Sequence, residues 1–226
     1  MPVLECPPEF KHEPNALWQM RLIGPQMSAD EGYRLIANCY DEDFAAGNYD
    51  APRLVCEAVN RMYPKDGSVP RDELKVMDIA AGTGLVGQQL YDEGVRHLDA
   101  IDPSQEMMGV AMKRGIYGKY IEDTIGEHET QVKADTYDAV VVAGGFVQGH
   151  LPPEALDEMI RICKPGGYII NSMRFEYLVT VPEYHRLERH MDDLEEAGKW
   201  RRVDRRVTDR YFFDTKQGIT YIYQKL

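Results

Sequence analysis

Asp78, Gly82, Gly84, Gly87 and Asp102 are the residues of this 226-residue sequence whose types and spacing bear most directly on chemistry. The run Val76-Met77-Asp78-Ile79-Ala80-Ala81-Gly82-Thr83-Gly84-Leu85-Val86-Gly87 reads as a strand, a turn of small residues and the start of a helix. Small residues let a ligand come up against the backbone, and a helix start offers N–H groups with no partner inside the helix. The spacing Gly82-x-Gly84-x-x-Gly87 fits a dinucleotide fingerprint, which on its own is a weak signal. Asp78 lies inside the strand, four residues before Gly82, where a carboxylate can accept from an ammonium group or from the loop's own N–H groups. Asp102 closes the next apolar run, eighteen residues after Gly84, where a carboxylate can take both hydroxyls of a ribose.

The surrounding pattern supplies the elements that must position these groups. Ser28-Ala29-Asp30-Glu31 is a capping box that predicts a helix through Tyr33, Ile36 and Tyr40. A turn at Gly47-Asn48 precedes a second helix from about Pro52 to Met62. Strands are then predicted over 75–79, 97–102, 119–121, 137–143 and 168–171, alternating with helices over 85–93, 104–114 and 154–162. A long charged helix is expected over 181–197, and two β-rich stretches, 203–213 and 219–223, close the chain with no room for a crossover between them. This is an α/β pattern: a doubly wound, seven-stranded, mostly parallel sheet with a C-terminal antiparallel hairpin and an N-terminal helical lid. Residues 1–27, with four prolines before Leu17, read as a flexible arm. The expected division is that arm and a single domain over 28–226, made of a lid over 28–65 and a core over 72–226.

Taken together, "VMDIAAGTG" and "DAIDPSQEMM" resemble the first two motifs of class I S-adenosylmethionine-dependent methyltransferases. "TYDAVVVAGGF" resembles the family's fourth-strand motif, and "ICKPGGYIINS" its Lys-Pro-Gly-Gly turn into the fifth strand. The tyrosine pattern Tyr33, Tyr40-Asp41, Tyr49-Asp50 is similar to the lid of one branch, the methyltransferase-like proteins of the Williams–Beuren region, with Ile36 in place of that branch's usual Trp. Ala80 stands where the family usually has its first glycine. The resemblance implies a Rossmann-like fold and S-adenosylmethionine as cofactor. It places Asp78 and the Ala80–Gly84 loop, with Gly82 and Gly84, at the methionine end. Asp102 and Pro103 then fall at the ribose, Met107 against adenine, and Asp123 or Thr124 near the adenine amine. Ala143 and Gly144 pass under the methionine moiety. Tyr33, Tyr40, Phe146 and His150 are the acceptor-side candidates, with His150 a candidate base.

Each of these residues also has a plainer use. Asp102 alone suits an N-cap for the helix after it, Met107 and Met108 suit core filling, and Asp123 sits in a stretch that suits a solvated loop. Tyr33, Tyr40 and Tyr49 can staple the N-terminal helices to the core, and a histidine such as His150 can be a hydrogen-bonded spectator. The arginines at 201, 202, 205, 206 and 210 suit the exposed face of an edge strand.

Composition excludes whole classes of function. Lys and Arg number 26 against 38 Asp and Glu, a net charge of −12, which argues against a nucleic-acid partner. The longest apolar run, 139–147, is far short of the roughly 20 residues of a membrane span. The first residues, MPVLECPPEFKHEP, lack the basic flank and apolar core of a signal peptide. Cys6, Cys39, Cys56 and Cys163 are scattered, as expected of free thiols in a reducing, cytoplasmic setting rather than of a disulfide framework or a metal site. The reading is therefore methyl transfer to a small-molecule acceptor by in-line displacement, through positioning and desolvation. The alternatives are an NAD(P)-dependent oxidoreductase, which would need a Tyr-x-x-x-Lys pair or a comparable proton donor at the pocket, and a non-catalytic S-adenosylmethionine-binding partner protein.

Overall fold

The computed structural model describes residues 28–226 apart from residue 127, so the arm expected over 1–27 lies outside the described residues. Helix α1, Ala29–Ile36, starts where the capping box puts it, with the Ser28 Oγ accepting from the Glu31 N–H at 3.2 Å. It stops short of the expected Tyr40. The chain turns through Ala37 to Cys39 and restarts as α2, Tyr40–Ala46. Asp41, Glu42 and Asp43 fill the first turn of α2, where the positive end of a helix favours carboxylates, so this acidic run begins a helix rather than continuing one. After the turn at Gly47 and Asn48, α3, Ala51–Met62, lies against the sheet through Val55, Ala58 and Val59.

Strands β1 (Lys75–Ile79), β2 (His97–Ile101), β3 (Tyr117–Ile121), β4 (Tyr137–Ala143) and β5 (Cys163–Arg174) are parallel, separated by α4 (Leu85–Asp92), α5 (Gln105–Met112) and α6 (Ala155–Ile162). Strand β7 (Lys216–Lys225) then pairs antiparallel with β5 and with β6 (Trp200–Phe212). The order β3-β2-β1-β4-β5-β7-β6 gives the expected seven-stranded, mostly parallel sheet closed by a hairpin. Strand order reverses between β1 and β4, which opens a crevice at the carboxyl ends of those strands.

β4 is buried on both faces, as its run of valines implies. Val140 and Val142 face one core with Met77, Ile79, Leu156 and Met159. Ala139 and Val141 face the other, with Val55, Val86, Leu90 and Ala111. A third cluster of Ile36, Phe44, Ala51, Tyr211 and Phe212 fixes the N-terminal helices to the end of the hairpin.

The long helix expected over 181–197 is a 3₁₀ turn over Pro182–Arg186 followed by α8 (Leu187–Glu196), with a short helix α7 (Tyr177–Thr180) before it. Pro182 has no N–H to continue a helix, and the Tyr184 hydroxyl is drawn inward to the Val147 and Leu151 carbonyls at 2.7 and 3.0 Å. Strand β6 is the edge of the sheet, and its Arg202 and Arg205 pair with Asp192 and Glu188. Among the described residues no helix is long and apolar enough to cross a membrane.

Candidate active site

The loop after β1 is built from left-handed backbone. Ala80, Gly82 and Gly84 have φ of 51°, 56° and 85°, and Gly84 is the N-cap of α4. Ala80 is the strained member of this set, because an L side chain in that region costs roughly 1–2 kcal/mol. Asp102, just past β2, holds the loop in place: its Oδ2 accepts from the Gly82 N–H at 2.8 Å and its Oδ1 from the Ser104 N–H at 2.9 Å. Burial pushes this carboxyl up while the two amides pull it down. A carboxylate has about four lone-pair sites, so two remain for a ligand. The N-cap of the helix that follows is Ser104 and not Asp102, whose carboxylate instead braces the glycine loop and also faces a cavity.

That cavity, about 230 Å³, lies over the carboxyl ends of β1, β2 and β4. Ala80, Gly82, Asp102, Pro103, Met107, Asp123, Thr124, Ala143 and Gly144 all line it, so the structure brings together nine of the eleven cofactor-side residues read from sequence. Ile79, Ile101 and Ile125 add an apolar floor that the sequence reading missed. Gly84 is not in the lining and instead caps α4.

Asp78 is the other exception. Successive strand residues point to opposite faces, and Asp78 points away from Ile79 and from the cavity. Its Oδ2 accepts from the Tyr117 hydroxyl at 2.6 Å, and its Oδ1 has no hydrogen-bond partner. Burial pushes the carboxyl up to about 7. Gly87 exists for the same contact, because a Cβ there would overlap the Tyr117 hydroxyl and ring. The third glycine of the fingerprint thus serves packing rather than a ligand. Gly87→Ala is expected to cost about 1–3 kcal/mol by overpacking, read as a lower urea midpoint with an unchanged slope.

A second cavity, about 310 Å³, meets the first at Tyr33, Tyr40 and Gly144, which line both. Where they meet, the Tyr33 hydroxyl lies 2.8 Å from Nε2 of His150, which lines the first cavity and not the second, and His150 Nδ1 lies 3.0 Å from the Gln148 carbonyl. A carbonyl only accepts, so Nδ1 carries the proton and Nε2 accepts from Tyr33. Burial lowers the His150 pKa, keeping the ring neutral, and burial raises that of Tyr33. Tyr40 stacks on Phe44 at 3.9 Å, and Tyr49 stands edge-on to Tyr211 at 5.8 Å. Phe146 closes one wall with no exposed surface. Gly144 must be glycine, since a Cβ at its φ of 68° would run into the Tyr49 hydroxyl.

Arg174, Tyr177, Tyr211, Phe212 and Lys216 complete this second cavity and were not read from sequence. Arg174 ends β5 and Tyr177 opens α7, while the pairing of β7 with β5 brings Tyr211, Phe212 and Lys216 of the hairpin to the site. On the opposite side Asp41 of α2 accepts from Thr83 Oγ1 at 2.5 Å and pairs with Arg114, whose Nε donates to the Thr83 carbonyl at 2.7 Å. These bonds tie the N-terminal helices to the glycine loop. Among the described residues no group of three or more His, Cys, Asp or Glu side chains has the arrangement of a metal site.

Residues 76–167 match the family model described as a methyltransferase domain. Over 166 residues the chain is 32% identical to human methyltransferase-like protein 27, an alignment covering 71% of this chain and 63% of that one. The matched region is a methyltransferase domain, and these likenesses support a class I S-adenosylmethionine-dependent methyltransferase. The chain is also 34% identical over 119 residues to a demethylmenaquinone methyltransferase of Renibacterium salmoninarum, covering 52% of this chain and 45% of that one. It therefore spans less than two thirds of the length of these two relatives. A TehB-like methyltransferase structure from Corynebacterium glutamicum superposes with a TM-score of 0.60 at 15% identity, covering 87% of this chain and 99% of that one, a likeness of fold.

S-adenosylmethionine is the cofactor these likenesses indicate, and the first cavity suits it. Asp102 has lone pairs to spare for a ribose, Met107 offers a buried thioether beside it, and Gly82 leaves backbone bare. The nicotinamide alternative finds no support in the site. One Tyr-x-x-x-Lys spacing does occur, at Tyr221 and Lys225, but Tyr221 donates to Glu188 at 2.9 Å and neither residue lines either of these two cavities.

Proposed function

We propose that this chain transfers the methyl group of S-adenosylmethionine to a small molecule held in the second cavity, working in the cytoplasm. The observation that carries this reading is the meeting of two cavities at Tyr33, Tyr40 and Gly144, one suited to the cofactor and the other walled by aromatic rings. The demethylmenaquinone methyltransferases among its relatives, named for a small-molecule acceptor, support the choice of acceptor class.

S-adenosylmethionine, when bound, supplies a methyl group on a sulfonium leaving group. The chain's residues then have four tasks. Asp102 takes the ribose hydroxyls, Met107 packs against adenine, and Asp123 and Thr124 stand near the adenine amine. The backbone at Ala80, Gly82 and Gly144 lines the methionine end. Tyr33, Tyr40 and Phe146 orient the acceptor and keep water out, and alignment of this kind can be worth roughly 7–11 kcal/mol. For an acceptor that must lose a proton, Tyr33 passes its own proton to Nε2 of neutral His150 and takes up the acceptor's.

Helices α1 and α2 form a lid over both cavities, latched by Asp41 onto Thr83 and Arg114. Hydrogen exchange is expected to slow across residues 33–49 when S-adenosylmethionine is added, because the ligand adds contacts on the lid's inner face. Unchanged exchange there would count against a lid.

Methyl-labelled S-adenosylmethionine incubated with the protein and a metabolite extract tests the reading. Label in one or a few low-mass products is the expected outcome. Label in macromolecules alone, or none above background, would overturn it.

A further inference from the structure

We propose that the second cavity takes a small planar aromatic acceptor bearing one carboxylate, with that carboxylate held between Arg174 and Lys216. The proposal rests on the reading of this cavity as the acceptor site. Two cations on its wall share one anion: Glu176 lies 3.6 Å from Arg174 and 2.8 Å from Lys216. Among the described residues that line the cavity there is no carboxylate, so one positive charge is left facing it. This surplus is local, in a chain whose net charge is −12. Other arginines nearby are already matched, Arg202 by Asp192 and Arg205 by Glu188.

Arg174 is also held in a manner that suits an incoming anion. Its guanidinium lies 4.8 Å from the centre of the Phe212 ring and 5.5 Å from that of Tyr177. Stacking of this kind occupies the faces of the group and leaves its N–H edges, and a guanidinium edge matches a carboxylate with two parallel hydrogen bonds. The rest of the wall calls for a flat guest. Tyr40 and Phe44 are stacked at 3.9 Å, and Tyr49 presents its edge to Phe44 and Phe212 at 5.2 and 5.5 Å. Ring faces and edges set at these angles favour a third aromatic ring over an aliphatic chain. A volume of about 310 Å³ is at the small end for ligand sites and suits a guest of one or two rings.

The arrangement also gives the acceptor a direction. Arg174 and Lys216 line the second cavity alone, while Tyr33, Tyr40 and Gly144 line both. A carboxylate fixed at the cations leaves the opposite end of the ring to face the cofactor, beside the Tyr33–His150 pair.

Calorimetry on the full chain saturated with S-adenosylhomocysteine tests this, using two matched pairs of probes: 4-hydroxybenzoate against 4-hydroxybenzamide, and indole-3-carboxylate against indole-3-carboxamide. At least one acid is expected to bind about ten- to a hundredfold more tightly than its amide, the range for hydrogen bonds to a charged group. Arg174→Gln and Lys216→Gln should each remove most of that preference while leaving S-adenosylhomocysteine binding as it was. Melting curves identify a variant that fails to fold, and the other variant then decides. Equal binding of acid and amide, or of neither, by protein that does hold S-adenosylhomocysteine would overturn the anion site alone. Protein that folds but does not hold S-adenosylhomocysteine would overturn the methyltransferase reading, and this proposal with it.

Discussion

Asp102→Ala is expected to weaken S-adenosylmethionine binding by about 1.5–3 kcal/mol, the range for hydrogen bonds to a charged group. The same substitution should destabilise the ligand-free protein by about 1–3 kcal/mol, because the Gly82 and Ser104 amides lose the oxygens they now reach at 2.8 and 2.9 Å. Both effects follow from one carboxylate that braces the loop and faces the cavity. Calorimetry reads the first and thermal unfolding the second. Affinity within a factor of about two of the wild type would remove Asp102 from the cofactor site.

Asp78→Asn should act in the other direction and depend on pH. Burial is the main cause of the raised Asp78 pKa, and the charge on Asp102 adds to it, while the Tyr117 hydroxyl and the Gly87 amide hold it down. The balance puts the folded carboxyl at about 7 against an ordinary 3.8. Below the ordinary value the group is protonated in both folded and unfolded chains and costs nothing. Between about 4 and 7 the unfolded chain ionises and the fold does not, so stability falls as pH rises; above that window the cost is constant. The full difference is on the order of 4 kcal/mol. Asparagine copies the shape of the protonated acid and cannot ionise. The variant should therefore match the wild type near pH 4 and exceed it by a few kcal/mol at pH 8, read from urea midpoints across that range. Parallel curves for the two proteins would contradict this account of Asp78.

The two residues show where sequence reasoning reached and where it stopped. The spacing from Gly84 to Asp102 locates a carboxylate at the mouth of the crevice because both ends are fixed by strand–helix geometry, and the structure places Asp102 there. Asp78 belongs to the same motif, but its side chain follows the two-residue alternation of β1, and that alternation turns it from the cavity towards Tyr117. Nothing in the spacing distinguishes a glycine that bares backbone to a ligand, as Gly82 does, from one that makes room for a neighbouring tyrosine, as Gly87 and Gly144 do. The acceptor side was half visible. Tyr33, Tyr40, Phe146 and His150 lie in segments whose order along the chain points to the pocket. Lys216 reaches it only because β7 inserts between β5 and β6, a long-range pairing with no local signature, and Arg174 ends β5 with nothing in its spacing to mark it.

The break between α1 and α2 has a similar origin. Capping predicts the start of α1 at Ser28, but the stop is decided by contacts with the hairpin, where Phe44 packs on Phe212 at 5.4 Å. Helix ends set by tertiary packing are weakly encoded in a local window.

One calorimetric comparison tests the central claim most directly: titration of the purified chain with S-adenosylmethionine, with S-adenosylhomocysteine and with NAD. The account predicts that the first two bind at a single shared site, competing with one another, and that NAD does not bind. Binding of NAD without binding of S-adenosylmethionine would contradict it.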